Sequence, residues 1–157
     1  MDVDIIADRR ITPLHLACQY GHSKVVKYLL EHNASPTLRD AQLYNCLERA
    51  IVNHHDKLVK DILFEHPLWR SMMRNAQLIK GIKAYDTPMR KLIRYMPNVA
   101  LHVIDTKLTR TVGGSEQKVF KHIYDYEFYQ DELVVEQWYK QGIINFISYF
   151  NFDHNVN

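Results

Sequence analysis

One block of sequence recurs after 33 residues, and nothing else restricts the fold of this chain as strongly. The first copy runs from Ile11 to Ser35 and reads ITPLHLACQYGHSKVVKYLLEHNAS. Thr12 suits a helix N-cap, where its hydroxyl accepts from an orphan N–H of the first turn. Pro13 suits the first helical position, where its missing N–H costs nothing. Leu14, Ala17 and Cys18 share one face at i, i+3, i+4 spacing. Gly21 permits a tight turn, and Val25, Val26, Leu29 and Leu30 form the apolar stripe of a second helix. Asn33 can end that helix in the left-handed region, and Pro36 stops further helix.

Moved by 33 residues, Asn45-Cys46-Leu47-Glu48-Arg49-Ala50 lies under Thr12-Pro13-Leu14-His15-Leu16-Ala17. His55 lies under His22, Lys57 under Lys24, Val59 under Val26, Lys60 under Lys27 and Leu63 under Leu30. Asn45 and Glu48 have the spacing of a capping box. His54 replaces Gly21, which predicts a less comfortable turn. A single helix pair of this kind cannot bury its apolar face, so it needs stacked neighbours.

The stretch TPLHLACQYGHSKVVKYLL, with its period, resembles the ankyrin repeat. The likeness covers about residues 8 to 67. It implies antiparallel helix pairs stacked side by side with loops on one edge. The motif positions are Thr12, Pro13, Leu14, His15, Ala17, Gly21, His22, Leu29 and Leu30, then Asn45, Leu47, Glu48, Ala50, His55 and Leu63. The expected organisation is an ankyrin-repeat region at 1–67, well formed over 8–40 and divergent over 41–67. A helical linker with a polar loop follows at 68–122, and an aromatic strand with an amphipathic tail at 123–157. The fold class is mainly α with a small β element.

Past the repeats, LWRSMMRNA (68–76) reads as a short helix packing through Trp69 and Met72 or Met73. LIKGIKAYD is a loop or a weak helix around Gly81. Thr87 and Pro88 repeat the cap-and-proline signal. Met89, Leu92, Ile93 and Met96 make a helical stripe. Pro97 opens or kinks a second helix with Ala100, Val103 and Ile104 on one side. TKLTRTVGGSEQK reads as a polar loop. Tyr124, Tyr126 and Phe128 alternate with acidic residues, a period-two strand signal. Its partner is either VFKHI, just before it, or lies outside the chain. Val134–Phe150 is helix-like and aromatic; it packs on the linker or a neighbour, lies at a membrane interface, or spans.

HPLWR (66–70), Pro88 to Pro97 and YDYEFY (124–129), in this order after repeats, resemble the segment joining the ankyrin stack to the first membrane helix in ankyrin-type transient receptor potential cation channels. That resemblance implies a homotetrameric plasma-membrane channel whose linker relays cytosolic signals to the gate. Trp69, Thr87, Pro88, Leu92, Ile93, Pro97, Tyr124, Tyr126 and Phe128 would be the relay positions. Partners would be further ankyrin repeats and channel segments of the same polypeptide. Electrophile-sensing members carry a cysteine where this chain has Thr87, so linker-based electrophile sensing is not expected. No membrane-spanning run follows, so the likeness implies a fragment, a truncated product or a degenerate relative. The alternative is a soluble cytoplasmic ankyrin adaptor that binds protein partners, with membrane contact, if any, through its tail.

Other classes find little support. With 20 basic and 18 acidic residues the net charge is +2, which gives no case for nucleic acid. MDVDIIADRR has no apolar core for a signal peptide. Two cysteines make no disulfide scaffold. Cys18 reads as a small buried hydrophobe. Cys46, at a first helical position, reads as structural, although a helix N-terminus can acidify a thiol. His54-His55-Asp56 lacks ligand geometry, so neither metal nor cofactor is expected. His15 and Glu48 read as caps, and no spacing demands catalysis. Lys24, Lys27, Lys57 and Lys60 read as a solvated face, with an anionic partner as the alternative. Thr12 after Arg9-Arg10 looks like a kinase site but is committed to capping; Thr111 after Arg110 is more accessible. An uncapped apolar face before the first repeat predicts low melting or self-association for the chain alone.

Overall fold

The computed structural model describes Asp4, residues 6–79, Gly81, residues 85–112 and residues 121–129. Helix α1 (Pro13–Gln19) opens on Thr12, whose hydroxyl accepts from His15 N while His15 reaches back to the Thr12 N–H. Helix α2 (Ser23–Glu31) returns antiparallel after Gly21 at φ 70. The second pair is α3 (Cys46–Val52), capped by Asn45, and α4 (Asp56–Leu58), which runs on into a π-helical turn at Val59–Leu63. His54 occupies the place of Gly21 with φ 58, so the turn has the same hand and pays for a Cβ. Asn33 is left-handed at φ 63 and ends α2 as its sequence predicts.

A short helix α5 (Trp69–Met73) buries Met72 and Met73. Then α6 (Pro88–Tyr95) opens on Thr87, whose Oγ1 accepts from Arg90 N, and α7 (Pro97–Lys107) follows after Met96. Helix α6 lies against α3 as α3 lies against α1, and α7 lies against α6 as α2 lies against α1. The inner positions keep their roles at a spacing of 42: Leu47 and Ala50 correspond to Met89 and Leu92, all buried. The turn is one residue shorter, so outer positions correspond at 41: Leu58, Val59 and Ile62 to Val99, Ala100 and Val103. The helical segment expected as a linker thus continues the stacking geometry. One core runs through it, from Leu14 to Val103.

Turns gather along one edge, ahead of each inner helix. Ala7 N donates to Ile11 O at 2.9 Å, and 33 residues on Asp40 N donates to Tyr44 O at 3.0 Å. The third such element is a minimal antiparallel ladder of β1 (Gln77–Leu78) with β2 (Tyr85–Asp86), where a loop or weak helix was expected. Two-residue strands leave no periodicity to read. Helix α7 is followed by β3 (Thr109–Val112), paired antiparallel with β4 (Lys121–Tyr124). This amends the expected polar loop at Thr109–Val112. It also moves the strand: β4 ends at Tyr124, and Glu127–Tyr129 form a turn. The strand's partner is β3, and the alternation of YDYEFY reflects an aromatic turn. Val134–Phe150 and residues 113–118 lie outside the described residues.

Two stripe residues also differ from expectation. Ile93 is 52% exposed, and Lys91 takes a buried place beside it. Val25 is 47% exposed although its counterpart Leu58 is only 2% exposed. Among the described residues no helix is long and apolar enough to cross a membrane.

Caps carry unequal weight. Asn45 accepts from Glu48 N at 3.0 Å and also donates through Nδ2 to the buried carbonyl of Met72 at 2.8 Å. Among the described residues the Thr87 side chain has only the cap bond to Arg90 N at 3.3 Å. Asn45→Ala is therefore expected to cost about 2 kcal/mol or more, against about 1 kcal/mol for Thr87→Ala, in urea unfolding.

Candidate functional site

The site begins with two residues at one position of the repeat. His15 accepts at Nδ1 from Thr12 N (3.2 Å) and donates from Nε2 to Leu38 O (3.0 Å) and Tyr44 O (3.1 Å). Carbonyls only accept, so Nε2 carries the proton. Burial lowers its pKa, against an upward pull from Asp40, which suits the neutral ring. His15 thus fastens the second turn to the first inner helix.

Glu48 takes that position in α3, and a carboxylate needs donors where His15 needed acceptors. Asn45 N supplies one at 3.0 Å, and Asn75 Nδ2 supplies a short bond to the same oxygen. The other oxygen takes Lys91 Nζ at 2.9 Å and Gln77 Nε2 at 3.3 Å. Lys91 also meets Asp86 Oδ2 at 2.8 Å, and its Nζ lies 4.9 Å from the centroid of the Tyr44 ring. Glu48 and Lys91 are fully buried. Asn75 Oδ1 and Asp86 Oδ1 have no protein partner among the described residues. Burial pushes Glu48 up from its usual value, outweighing the downward pull of Lys91 and the bonds from Asn45 and Asn75. Lys91 also loses hydration, yet Glu48 and Asp86 together raise it, so it stays an ammonium.

Above this cluster sits the turn Asp40–Tyr44. Asp40 Oδ1 accepts from Gln42 N (2.7 Å) and Tyr44 N (3.1 Å), while Oδ2 takes Arg49 Nη2 and Nε, both at 2.5 Å. Asn75 Nδ2 and Gln77 Nε2 both donate to Leu43 O, at 2.9 and 2.7 Å. Leu43 is held at φ 64 with its side chain 46% exposed. Left-handed backbone is unfavourable for leucine, and these bonds hold it there. Leu78 on β1, Leu16 on α1 and Tyr20 at the C-cap of α1 are exposed as well.

The expected relay residues divide. Trp69 sits between Phe64 and Phe128, with tilted rings and centroids 5.8 and 5.9 Å away. Arg70 lies over Trp69 and grips Asp125 (2.8 Å) and Glu127, and Arg74 Nε also reaches Glu127 at 2.6 Å. These pairs are open to solvent, so they position the turn and add little stability. Pro88 and Leu92 are buried, Thr87 caps, Pro97 starts α7, and Tyr124 and Tyr126 are exposed. Thr12 is buried under its cap bonds, which closes it to a kinase, while Thr111 is exposed on β3. The hydrogen bond with the neighbouring Cys46 thiol, and then burial, hold the Cys18 thiol well above its usual value, and Cys46 donates to Pro36 O at 3.3 Å. Lys24, Lys27, Lys57 and Lys60 are all exposed. Lys91 is the buried residue of this cluster that the sequence reading missed: a lysine beside a stripe reads as solvated. The available signal was an acid at His15's place, facing the next unit.

Comparison with known proteins places this geometry. The family model "Ankyrin repeats (3 copies)" matches residues 1–68, and this part of the chain is an ankyrin-repeat segment. A 66-residue stretch is 42% identical to Palmitoyltransferase AKR1 of Lachancea kluyveri, covering 40% of this chain and 9% of that protein. A 106-residue stretch is 33% identical to Rabankyrin-5 of Mus musculus, covering 68% of this chain and 8% of that protein. The chain thus spans less than a tenth of the length of these curated relatives. A chain of the solved complex of Bd0816 Predatory Endopeptidase from Bdellovibrio bacteriovorus with immunity protein Bd3460 has a similar fold, with TM-score 0.51 and 18% identity over 68% of this chain and 52% of that one.

Two tests follow. Lys91→Met removes the cation and leaves Glu48 buried without its counter-charge; a loss of about 3–5 kcal/mol in urea unfolding is expected. The pH dependence has a fixed sign. Glu48 binds a proton more readily folded than unfolded, so its contribution is fully present below its usual 4.5 and fades as pH rises through the raised value. The unfolding free energy of wild type minus that of Glu48→Gln should therefore rise on acidification from neutral pH toward that window. A difference that falls would remove burial as the dominant influence.

Proposed function

We propose that this chain is a non-catalytic scaffold of stacked helix pairs that binds a protein partner along its row of turns. On this reading residues 87–107 form a third ankyrin-type pair, and residues 68–86 are an insertion carrying α5 and the β1–β2 turn. The 106 residues matched in Rabankyrin-5 exceed the 68 of the family match, so that likeness must run past the first two pairs. The observation that carries the interaction reading is Leu43. A strained, exposed leucine on a turn braced by Asp40, Arg49, Asn75 and Gln77 is a pre-organised anchor, the kind of feature that concentrates binding energy.

Ankyrin repeats serve many unrelated partners, so fold alone names none. The transferase name belongs to a relative of which this chain covers 9%. The channel reading, with its tetramer and plasma-membrane placement, rests on the resemblance of three short stretches. Glu127–Tyr129 forming a turn weakens the third of them. The adaptor reading has the better support, since neither relative is named as a channel.

Leu43→Gly tests it. Glycine accepts φ 64 freely, so stability should stay within about 1 kcal/mol of wild type. Proteins captured from cells by the intact polypeptide should be lost or weakened at least tenfold in the variant. An unchanged capture profile, quantified by mass spectrometry, would remove Leu43 as the anchor.

A further inference from the structure

The segment Asp125–Phe128 is seated in a corner made by a distant part of the chain. Phe64 follows the π-helical turn of the second pair, and Trp69 begins α5. Phe64 is buried and Trp69 is half-buried. Arg70 and Arg74 stand four residues apart, one helical turn, so their side chains leave the same side of α5. Two aromatic rings and two guanidinium groups thus face one place.

Three side chains fill it. Phe128 lies 5.9 Å from Trp69 and is only 8% exposed, while Tyr126 and Tyr129 beside it are exposed. Glu127 receives both Arg70 and Arg74, the latter at 2.6 Å. Asp125 takes the other arm of Arg70 at 2.8 Å. The Arg70 guanidinium also lies over both rings, 4.7 Å from Trp69 and 5.8 Å from Phe128. The contacts are all made by side chains, in the order acid, any residue, acid, phenylalanine. An aromatic anchor ringed by charge-assisted bonds is the chemistry by which a receptor holds a peptide.

The rest of the fold holds this segment lightly. Among the described residues it is tied to α7 by the short β3–β4 ladder and by the bond from Asp125 N to Leu108 O at 2.7 Å. Its ion pairs are open to solvent, so water and salt compete for them. Elements with few buried contacts open at low cost, and binding segments are drawn from them.

We propose that Phe64, Trp69, Arg70 and Arg74 form a docking site for a partner peptide with an acid, any residue, an acid and a phenylalanine in that order. Asp125–Phe128 occupies the site in cis as a built-in competitor. Its tether gives it an effective concentration of about millimolar, so a partner engages the site by displacing it. The site shares no residue with the Leu43 turn, and either reading can fail alone.

The probe is a fluorescein-labelled peptide with the sequence of residues 124–129, YDYEFY, followed by anisotropy. Two full-length variants vacate the site: Phe128→Ser, and Glu127→Lys with Phe128 kept. Both should retain wild-type helicity by circular dichroism and bind the peptide at least roughly tenfold more tightly than wild type. Adding Arg70→Glu should abolish the gain, as should alanine in place of the peptide's phenylalanine. In wild type, excess peptide should speed hydrogen exchange at Asp125–Tyr129 and leave α1 to α3 unchanged, a measurement that needs no variant. Equal binding to wild type and both variants, binding indifferent to Arg70→Glu, or exchange at Asp125–Tyr129 that does not respond would overturn the proposal. So would a dimer of wild type, seen by light scattering and lost in Phe128→Ser, since the occupant would then be a second copy of this chain.

Discussion

A lysine ammonium held between two carboxylates keeps the second and third helix pairs in register. Lys91 on α6 meets Glu48 on α3 and Asp86 at the foot of the last turn, all out of contact with bulk water or nearly so. Taking these charges out of water is expensive, and apolar replacements of similar volume would often be as stable. What the charges add is selectivity. An apolar face tolerates sliding by a fraction of a turn, whereas a buried ammonium must find its carboxylates. Asn45, Asn75 and Gln77 fill the remaining acceptor sites of Glu48, so the carboxylate is held by three donors besides Lys91. The insertion at residues 68–86 is thereby tied down: it supplies Asn75, Gln77 and Asp86 to a cluster centred on the helix before it.

The same bonds reach the surface. Asn75 and Gln77 each divide their amide protons between Glu48 and Leu43 O. The core charge and the exposed turn are therefore one connected structure. Disturbing Glu48 should be felt at Leu43, and a partner seated on Leu43 would act back on the cluster that holds α6 against α3. In the first pair His15 performs the simpler version, donating directly to backbone carbonyls of the turn. Exchanging a donor for an acceptor at this position converted a self-contained repeat contact into one that recruits side chains from later in the chain.

Much of this was legible in the sequence, for reasons that are local. Thr12, Asn45 and Thr87 were readable as caps because capping is decided within four residues. The 33-residue register exposed the equivalence of Leu14 with Leu47 and of Val26 with Val59, all buried. What could not be read depends on partners distant along the chain. Lys91 lies 43 residues from Glu48, and periodicity alone assigns a lysine to water. The turn at Glu127–Tyr129 alternates like a strand, yet its Phe128 is buried because Trp69 and Arg70 receive it. Strand β4 instead begins three residues earlier, at Lys121, where the ladder with Thr109–Val112 fixes it. Ile93 belonged to a correct helical stripe, but burial of that position requires a neighbour on the far side of α6.

Ile93 shows that the two ends of the stack are not alike. Its counterparts Cys18 and Ile51 are fully buried, each covered by the inner helix that follows, while Ile93 is open. The outer helix of the same pair continues into the ribbon: its C-cap Leu108 is buried, and Asp125 N donates to Leu108 O at 2.7 Å. The β3–β4 ribbon and its turn thus finish the outer half of the third pair. Among the described residues the third pair is thus finished by a ribbon, while the first pair presents exposed Val25 and His22.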